Sequence, residues 1–148
     1  MINLLISEKL IDLNVAATDK NDLIKHLVKL ANDDNRLNDS EKFLKAVYTR
    51  EAEISTSLGY QVAVPHGKTN AVKKPFICFA KSLKGIYWNK QLVHLIFLIG
   101  VPEAEKGNSY LTILANIARR IIDDQFRQHL LTTDDKKKVI EIIDPTDD

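Results

Sequence analysis

Residues 92–100 read LVHLIFLIG, a run that is apolar except for His94 and ends on Gly100. A stretch this short and this continuously apolar has the character of a strand covered on both faces. It falls far below the roughly 20 apolar residues that cross a bilayer. Working outward, residues 75–82 (PFICFAKS) and 60–65 (YQVAVP) have the same β-branched and aromatic chemistry, so three strands are expected. Before them, residues 18–34 place Leu23, Leu27, Leu30 and Ala31 at helical spacing, with Thr18 or Asp19 as the cap. Residues 40–53 repeat the pattern with Phe43, Leu44, Val47 and Tyr48 on one side and Ser40 as the cap. After the strands, residues 110–122 put Leu111, Leu114, Ile117, Ala118 and Ile121 on one helical face. Short helices are expected near 124–131 and 134–143, an opening strand near 13–15, and a frayed tail at 144–148. Helices, clustered strands, then helices again imply a mixed sheet with helices packed on it, an α/β or α+β domain.

The bulk composition narrows the function. A chain of 148 residues fits one domain, 1–148, and can bury a real core. With 45% hydrophobic and 28% charged residues it has the make-up of a globular protein, and a net charge of +1 leaves no polybasic footprint for nucleic acid. The N-terminus MINLLISEK lacks the basic region and apolar length of a signal peptide, so a cytoplasmic protein is expected, with any membrane role exercised through a partner. The single cysteine, Cys78, precludes an intrachain disulfide and a multi-cysteine metal site, and its apolar surroundings suggest a buried thiol.

Four histidines are candidates for chemistry. His26 shares the polar side of its helix with Asp22, Lys29 and Asp33 and reads as solvated. His129 falls near a helix end, where an imidazolium favours the dipole. His94 lies within a strand, either buried and hydrogen-bonded or directed toward a pocket. His66 stands out by its neighbours. Pro65 fixes its own φ and biases Val64 toward an extended backbone, and Gly67 permits close approach or a sharp turn. An imidazole held there suits a general base, a metal ligand or a nucleophile. No helix offers histidines four residues apart for zinc, and no G-x-S-x-G or Walker loop is present. Histidine as the nucleophile, forming a phosphoramidate, is the chemistry left, and it needs cations or N–H donors for the phosphoryl oxygens. Arg50 and Lys68 are the nearest such cations in sequence.

The longer window REAEISTSLGYQVAVPHGK (residues 50–68) resembles the signature of the enzyme IIA components of the bacterial sugar phosphotransferase system, mannitol/fructose type. In that family an Arg-Glu pair precedes, at a fixed interval, a T-G-I-G-x-G-[IV]-A-[IV]-P-H element. Arg50 and Glu51 fall at that interval before Thr56, and Leu58, Gly59 and Val62 to His66 fit the remainder. The resemblance implies a mixed sheet flanked by helices on both faces. It also implies that His66 accepts a phosphoryl group from the histidine-containing phosphocarrier protein and passes it to a cysteine or histidine of a cognate enzyme IIB. Arg50 would neutralise phosphoryl charge, Glu51 would brace Arg50 or its helix, and Thr56 would be a donor or a turn residue. No cofactor or resident metal is expected. Any enzyme IIB and membrane permease would be separate chains. A regulatory, phosphorylation-gated binding module of the same family, the nitrogen type, is the alternative.

The sequence departs from the pattern in three places. Ser57 and Gln61 replace two family glycines, which limits backbone freedom beside the site. Tyr110 stands where the family commonly has a second histidine. A tyrosine can donate a hydrogen bond to a phosphoryl oxygen or simply pack as a helix-start aromatic, but it supplies no positive charge at neutral pH.

Overall fold

The computed structural model describes residues 5–104 and 109–143, with side chains from 112 onward in the second segment. After a 3-10 turn at Glu8–Leu10, the chain runs β1 (Ile11–Asp12), α1 (Lys20–Asp33), α2 (Ser40–Glu53), β2 (Ser57–Gly59), β3 (Val62–Ala63), β4 (His66–Thr69), β5 (Phe76–Trp88), β6 (Gln91–Pro102), α3 (Ser109–Ile121), α4 (Asp124–Thr132) and α5 (Lys136–Ile143). The six strands form one mixed sheet in the order β1-β5-β6-β3-β2, with β4 also paired to β6. β5 and β6 are antiparallel, whereas β3 and β4 lie parallel to β6. Among the described residues, no helix is long and apolar enough to cross a membrane.

The apolar run at 92–100 forms the middle of β6, and its strand alternation explains why it has no polar face. Ile96 and Leu98 join Phe76, Cys78 and Ala80 in one core with Leu23, Ile24 and Leu27 of α1 and Phe43 and Val47 of α2. Leu95, Phe97, Ile99 and Val101 join Ile77 and Phe79 in a second core with Ile113, Ile117 and Ile121 of α3, Phe126 and Leu130 of α4, and Val139 and Ile143 of α5. Successive side chains point to opposite faces, so a strand sandwiched between two helical layers must be apolar at every position. The expected α/β sheet with helices on both faces is the observed fold. Buried Lys81 ties the second layer to β5, its Nζ donating to the carbonyls of Leu131 (3.3 Å) and Thr133 at the C-terminal end of α4.

Several local readings need correction. The opening strand is at Ile11–Asp12 rather than 13–15, because its two parallel partners on β5, Phe79 and Ala80, lie opposite Ile11 and Asp12. Val15 keeps only a single amide bond, to Lys81 O. Asp19 caps α1 by accepting from the Asp22 amide, while α2 is capped by Asp39, which accepts from the Lys42 amide; Ser40 is already helical. On α3, Ile117 and Ile121 are buried and Leu114 packs against the same core as predicted, while Ala118 is exposed and Ile113 is buried in addition. Leu111's side chain and the tail at 144–148 lie outside the described residues. The stretch 60–65 is not one strand: Tyr60 and Gln61 form a two-residue turn between β2 and β3, and pairing breaks again at Pro65, which has no N–H to give. Residues 75–82 continue well past Ser82 as β5.

The Tyr60–Gln61 turn shows what one of the sequence departures means. Both residues have positive φ, 56° and 65°, as a tight turn of twisted strands demands. Glycine adopts this region without a Cβ penalty, whereas other residues pay about 1 kcal/mol. Gln61 is held there by its carbonyl, which accepts from the amides of His94 and Leu95 at the start of β6. Ser57, the other departure, is not in the positive-φ region. Gln61→Gly is therefore expected to raise the unfolding free energy by roughly 0.5–1 kcal/mol, readable in a thermal or urea melt.

Candidate phosphoacceptor site

Pro65 interrupts the ladder just before His66. β3 ends at Ala63 opposite Ile96, the Pro65 carbonyl accepts from the Ile99 amide at 3.0 Å, and His66 begins β4 opposite Ile99 in the same register. The histidine thus opens a strand rather than ending one. Gly67 follows, and a Cβ there would meet Phe43 and Val47 of α2 at 3.2 and 3.4 Å. Of the two roles expected for this glycine, close approach is the one it fills, since no turn follows it. The partner of Gly67 on β6 is Gly100, where a Cβ would fall 2.3 Å from the Phe76 ring. The missing side chain of Gly67 lets β4 and α2 come together, that of Gly100 makes room for Phe76, and the groove between β4 and α2 runs past His66.

His66 is buried, with 8% of the residue's surface exposed. Nδ1 lies 2.8 Å from the Val64 carbonyl, an acceptor only, so Nδ1 carries the proton and Nε2 the lone pair in the neutral ring. Burial pushes the His66 pKa below its ordinary value of 6.5, opposed by the bond to Val64; nearby Arg50 lowers it further and Glu51 raises it. The ring is thereby kept neutral, the state in which an imidazole is a nucleophile.

A groove of about 450 Å³ lies alongside, lined by Lys42, Lys45, Ala46, Thr49, Arg50 and Glu53 of α2 and by His66 to Thr69 of β4. Its charged residues are four cations (Lys42, Lys45, Arg50, Lys68) and one carboxylate (Glu53). The whole chain is only +1, so the remainder is net negative and the positive potential is concentrated beside His66. Arg50 occupies the last turn of α2, its Nη1 donating to the Ile54 carbonyl at 2.9 Å. Lys42 donates to Asn70 Oδ1 at 2.6 Å. The sequence reading misses the two lysines on α2, yet they share with Arg50 the groove-facing stripe 42, 45, 46, 49, 50 and 53, whose steps are those of a helix.

The other predicted site residues divide by burial. Glu51 is buried and lies off the groove: its Oε1 accepts from the Thr56 hydroxyl, and its Oε2 from the Thr56 amide (3.1 Å), Trp88 Nε1 (3.1 Å) and Lys20 Nζ (3.4 Å). Thr56 is buried too, and its hydroxyl points to Glu51. Tyr110 belongs to the first turn of α3, and its side chain lies outside the described residues. Of the remaining histidines, His26 is half-buried against Asp12 (Nε2 to Oδ2, 2.7 Å) rather than solvated, because α1 packs on the β1 end of the sheet. His94 contacts the Ser82 carbonyl through Nδ1 (2.9 Å), and exposed His129 lies in the last turn of α4. Cys78 is buried, which raises its thiol pKa far above the ordinary range. No cluster of three metal-ligating side chains occurs among the described residues.

Residues 4–145 match the family model for the phosphoenolpyruvate-dependent sugar phosphotransferase system, EIIA 2. This chain belongs to that family. It is 34% identical over 138 residues to the fructose-specific EIIA component of Haloferax volcanii, covering 91% of this chain and 89% of that protein. It is 30% identical over 146 residues to the fructose-specific EIIABC component of Bacillus subtilis, covering 97% of this chain but only 23% of that longer protein. Among solved structures, the nitrogen regulatory protein IIA-Ntr of Neisseria meningitidis superposes with a TM-score of 0.85 at 24% identity, covering 95% of this chain and 96% of the other. Enzyme IIA-mannitol of Escherichia coli, solved in complex with phosphorylated enzyme IIB-mannitol, gives 0.80 at 19% identity, covering 93% and 96%. At these identities the structural likeness speaks for the EIIA fold alone.

The depressed pKa has a measurable sign. Between the folded-state pKa of His66 and 6.5, the unfolded chain binds the proton that the folded chain refuses. The stabilisation is complete above pH 6.5 and is lost as pH falls toward the folded-state pKa. A ring titration of His66 by NMR is expected to show its midpoint below 6.5, and His66→Gln to flatten the fall in stability over that interval.

Proposed function

We propose that this EIIA carries phosphoryl groups on His66, taking them from the histidine-containing phosphocarrier protein and giving them to an enzyme IIB. The observation that carries the reading is a neutral imidazole, its Nδ1–H fixed by the Val64 carbonyl, lining a groove with four cationic side chains. In the first transfer, the Nε2 lone pair forms a bond to phosphorus as the donor's N–P bond breaks, and the donor nitrogen keeps the electron pair. In the second, a thiolate or imidazole of enzyme IIB attacks the same phosphorus and His66 leaves with its lone pair restored. Nδ1–H stays on Val64 throughout, so no proton has to move within this chain. Arg50 and the groove lysines offset charge on the phosphoryl oxygens, which change hands with little covalent work left to the protein.

Fructose, named in both relatives, is the first sugar to test. The regulatory alternative rests on likeness to the Neisseria protein at 24% identity, below the 34% shared with the Haloferax fructose component, and nothing in the site favours it.

Incubation with enzyme I, the phosphocarrier protein and labelled phosphoenolpyruvate is expected to give acid-labile label that disappears in His66→Ala; full labelling of that variant would overturn the assignment. Arg50→Gln should slow labelling about a hundredfold. The second-order rate should fall as salt is raised, and Lys45→Ala should lower that rate while leaving the rate at saturating donor in place.

A further inference from the structure

Trp88 and Glu51 lie away from the groove, yet a continuous set of hydrogen bonds joins them to the phosphoacceptor ring. Trp88, fully buried at the end of β5, donates Nε1–H to Glu51 Oε2. Lys20 of α1 donates to the same oxygen and also to Asn89 Oδ1 (3.2 Å) in the turn that follows Trp88. The Glu51 carboxylate grips Thr56 twice, at its amide and its hydroxyl. The Thr56 carbonyl then accepts from the Val64 amide at 3.0 Å, and the Val64 carbonyl accepts from His66 Nδ1 at 2.8 Å.

We propose that Trp88 and Glu51 are positioning residues for phosphoryl transfer, holding His66 in the Nδ1–H tautomer through Thr56 and Val64. The physical case rests on burial and donor count. A carboxylate with 4% of its side chain exposed persists only when its oxygens are satisfied, and here four donors from α1, β5 and the segment after α2 converge on it. That convergence pins Thr56 against α2, and Thr56 is the residue that sets the position of the Val64 peptide. The Val64 carbonyl in turn is what selects which ring nitrogen keeps the lone pair. A group that orients a histidine by accepting from Nδ1–H governs its reactive nitrogen without touching the substrate. The same Glu51 follows Arg50 on α2, so one anchor orders both the phosphoacceptor loop and the helix end that carries the arginine.

The inference rests on His66 being the phosphoacceptor, but its primary readout does not. Long-range proton–nitrogen NMR of the His66 ring at pH 8 is expected to show almost wholly the Nδ1–H tautomer in the wild-type protein. Trp88→Phe, which removes the indole donor, and Thr56→Val, which removes the hydroxyl at constant shape, should each raise the Nε2–H tautomer to a tenth or more. Both should slow single-turnover phosphorylation by phosphorylated phosphocarrier protein about tenfold at saturating donor, with the half-saturating donor concentration unchanged. Thr56→Ser should restore wild-type behaviour. Wild-type tautomer and rate in folded Trp88→Phe and Thr56→Val would overturn the proposal, and if Trp88→Phe does not fold, Thr56→Val decides alone. Should even the wild type accept no phosphate, the proposed function falls, and the tautomer ratio still tests the positioning.

Discussion

Pro65 has no amide hydrogen, and pairing along β6 lapses there, one residue before His66. The register is nonetheless kept through the lapse, with Val62 and Ala63 opposite Leu95 and Ile96 and His66 opposite Ile99, so the side of the sheet on which each residue lies is fixed by strand alternation. The missing donor ends β3 after Ala63. The Pro65 carbonyl then takes the Ile99 amide, and pairing resumes with His66 opposite Ile99. Gln61 and Pro65 give their carbonyls to β6, so Val64 between them faces the other side: its amide donates to Thr56 and its carbonyl takes the imidazole Nδ1–H. Gly67 lets α2 close down on β4, and Gly100 makes room for the Phe76 ring.

Around that break the charges are sorted by depth. The acceptor, Glu51, is buried and fully engaged, where a carboxylate serves as an anchor rather than as a proton donor. The cations, Lys42, Lys45, Arg50 and Lys68, line an open groove where they can meet phosphoryl oxygens arriving from a partner. Lys20 and three further donors engage the Glu51 carboxylate, and its remaining effect on His66 opposes that of Arg50. At the His66 ring, desolvation lowers the pKa and the bond to Val64 partly offsets it, which favours the neutral ring.

Much of this was legible in the sequence because it depends on short-range chemistry. The continuous apolar runs of β5 and β6, the helical spacing of Leu23, Leu27, Phe43 and Val47, and the Arg-Glu to Pro-His interval all lie within single elements or a fixed loop. Errors arose where local signals competed. Asp39 and Ser40 are both good caps, and the choice between them is made by which backbone the helix begins from. Tyr60 and Gln61 look like strand residues by propensity, but the hairpin requires positive φ of both, and propensity does not register a turn built from residues other than Gly or Asn. His26 read as solvated because its partner, Asp12, belongs to another element.

The sequence by itself determined the family, the phosphoacceptor candidate and a sheet sandwiched between helices, since each is written in residue types at fixed spacing. Only the tertiary structure decided that Glu51 is buried off the groove, that Thr56 turns its hydroxyl inward to it, and that Trp88 and Lys20 hydrogen-bond to the same carboxylate. Those roles depend on contacts across 31 and 37 residues, and no local periodicity encodes which distant donor will meet a buried carboxylate.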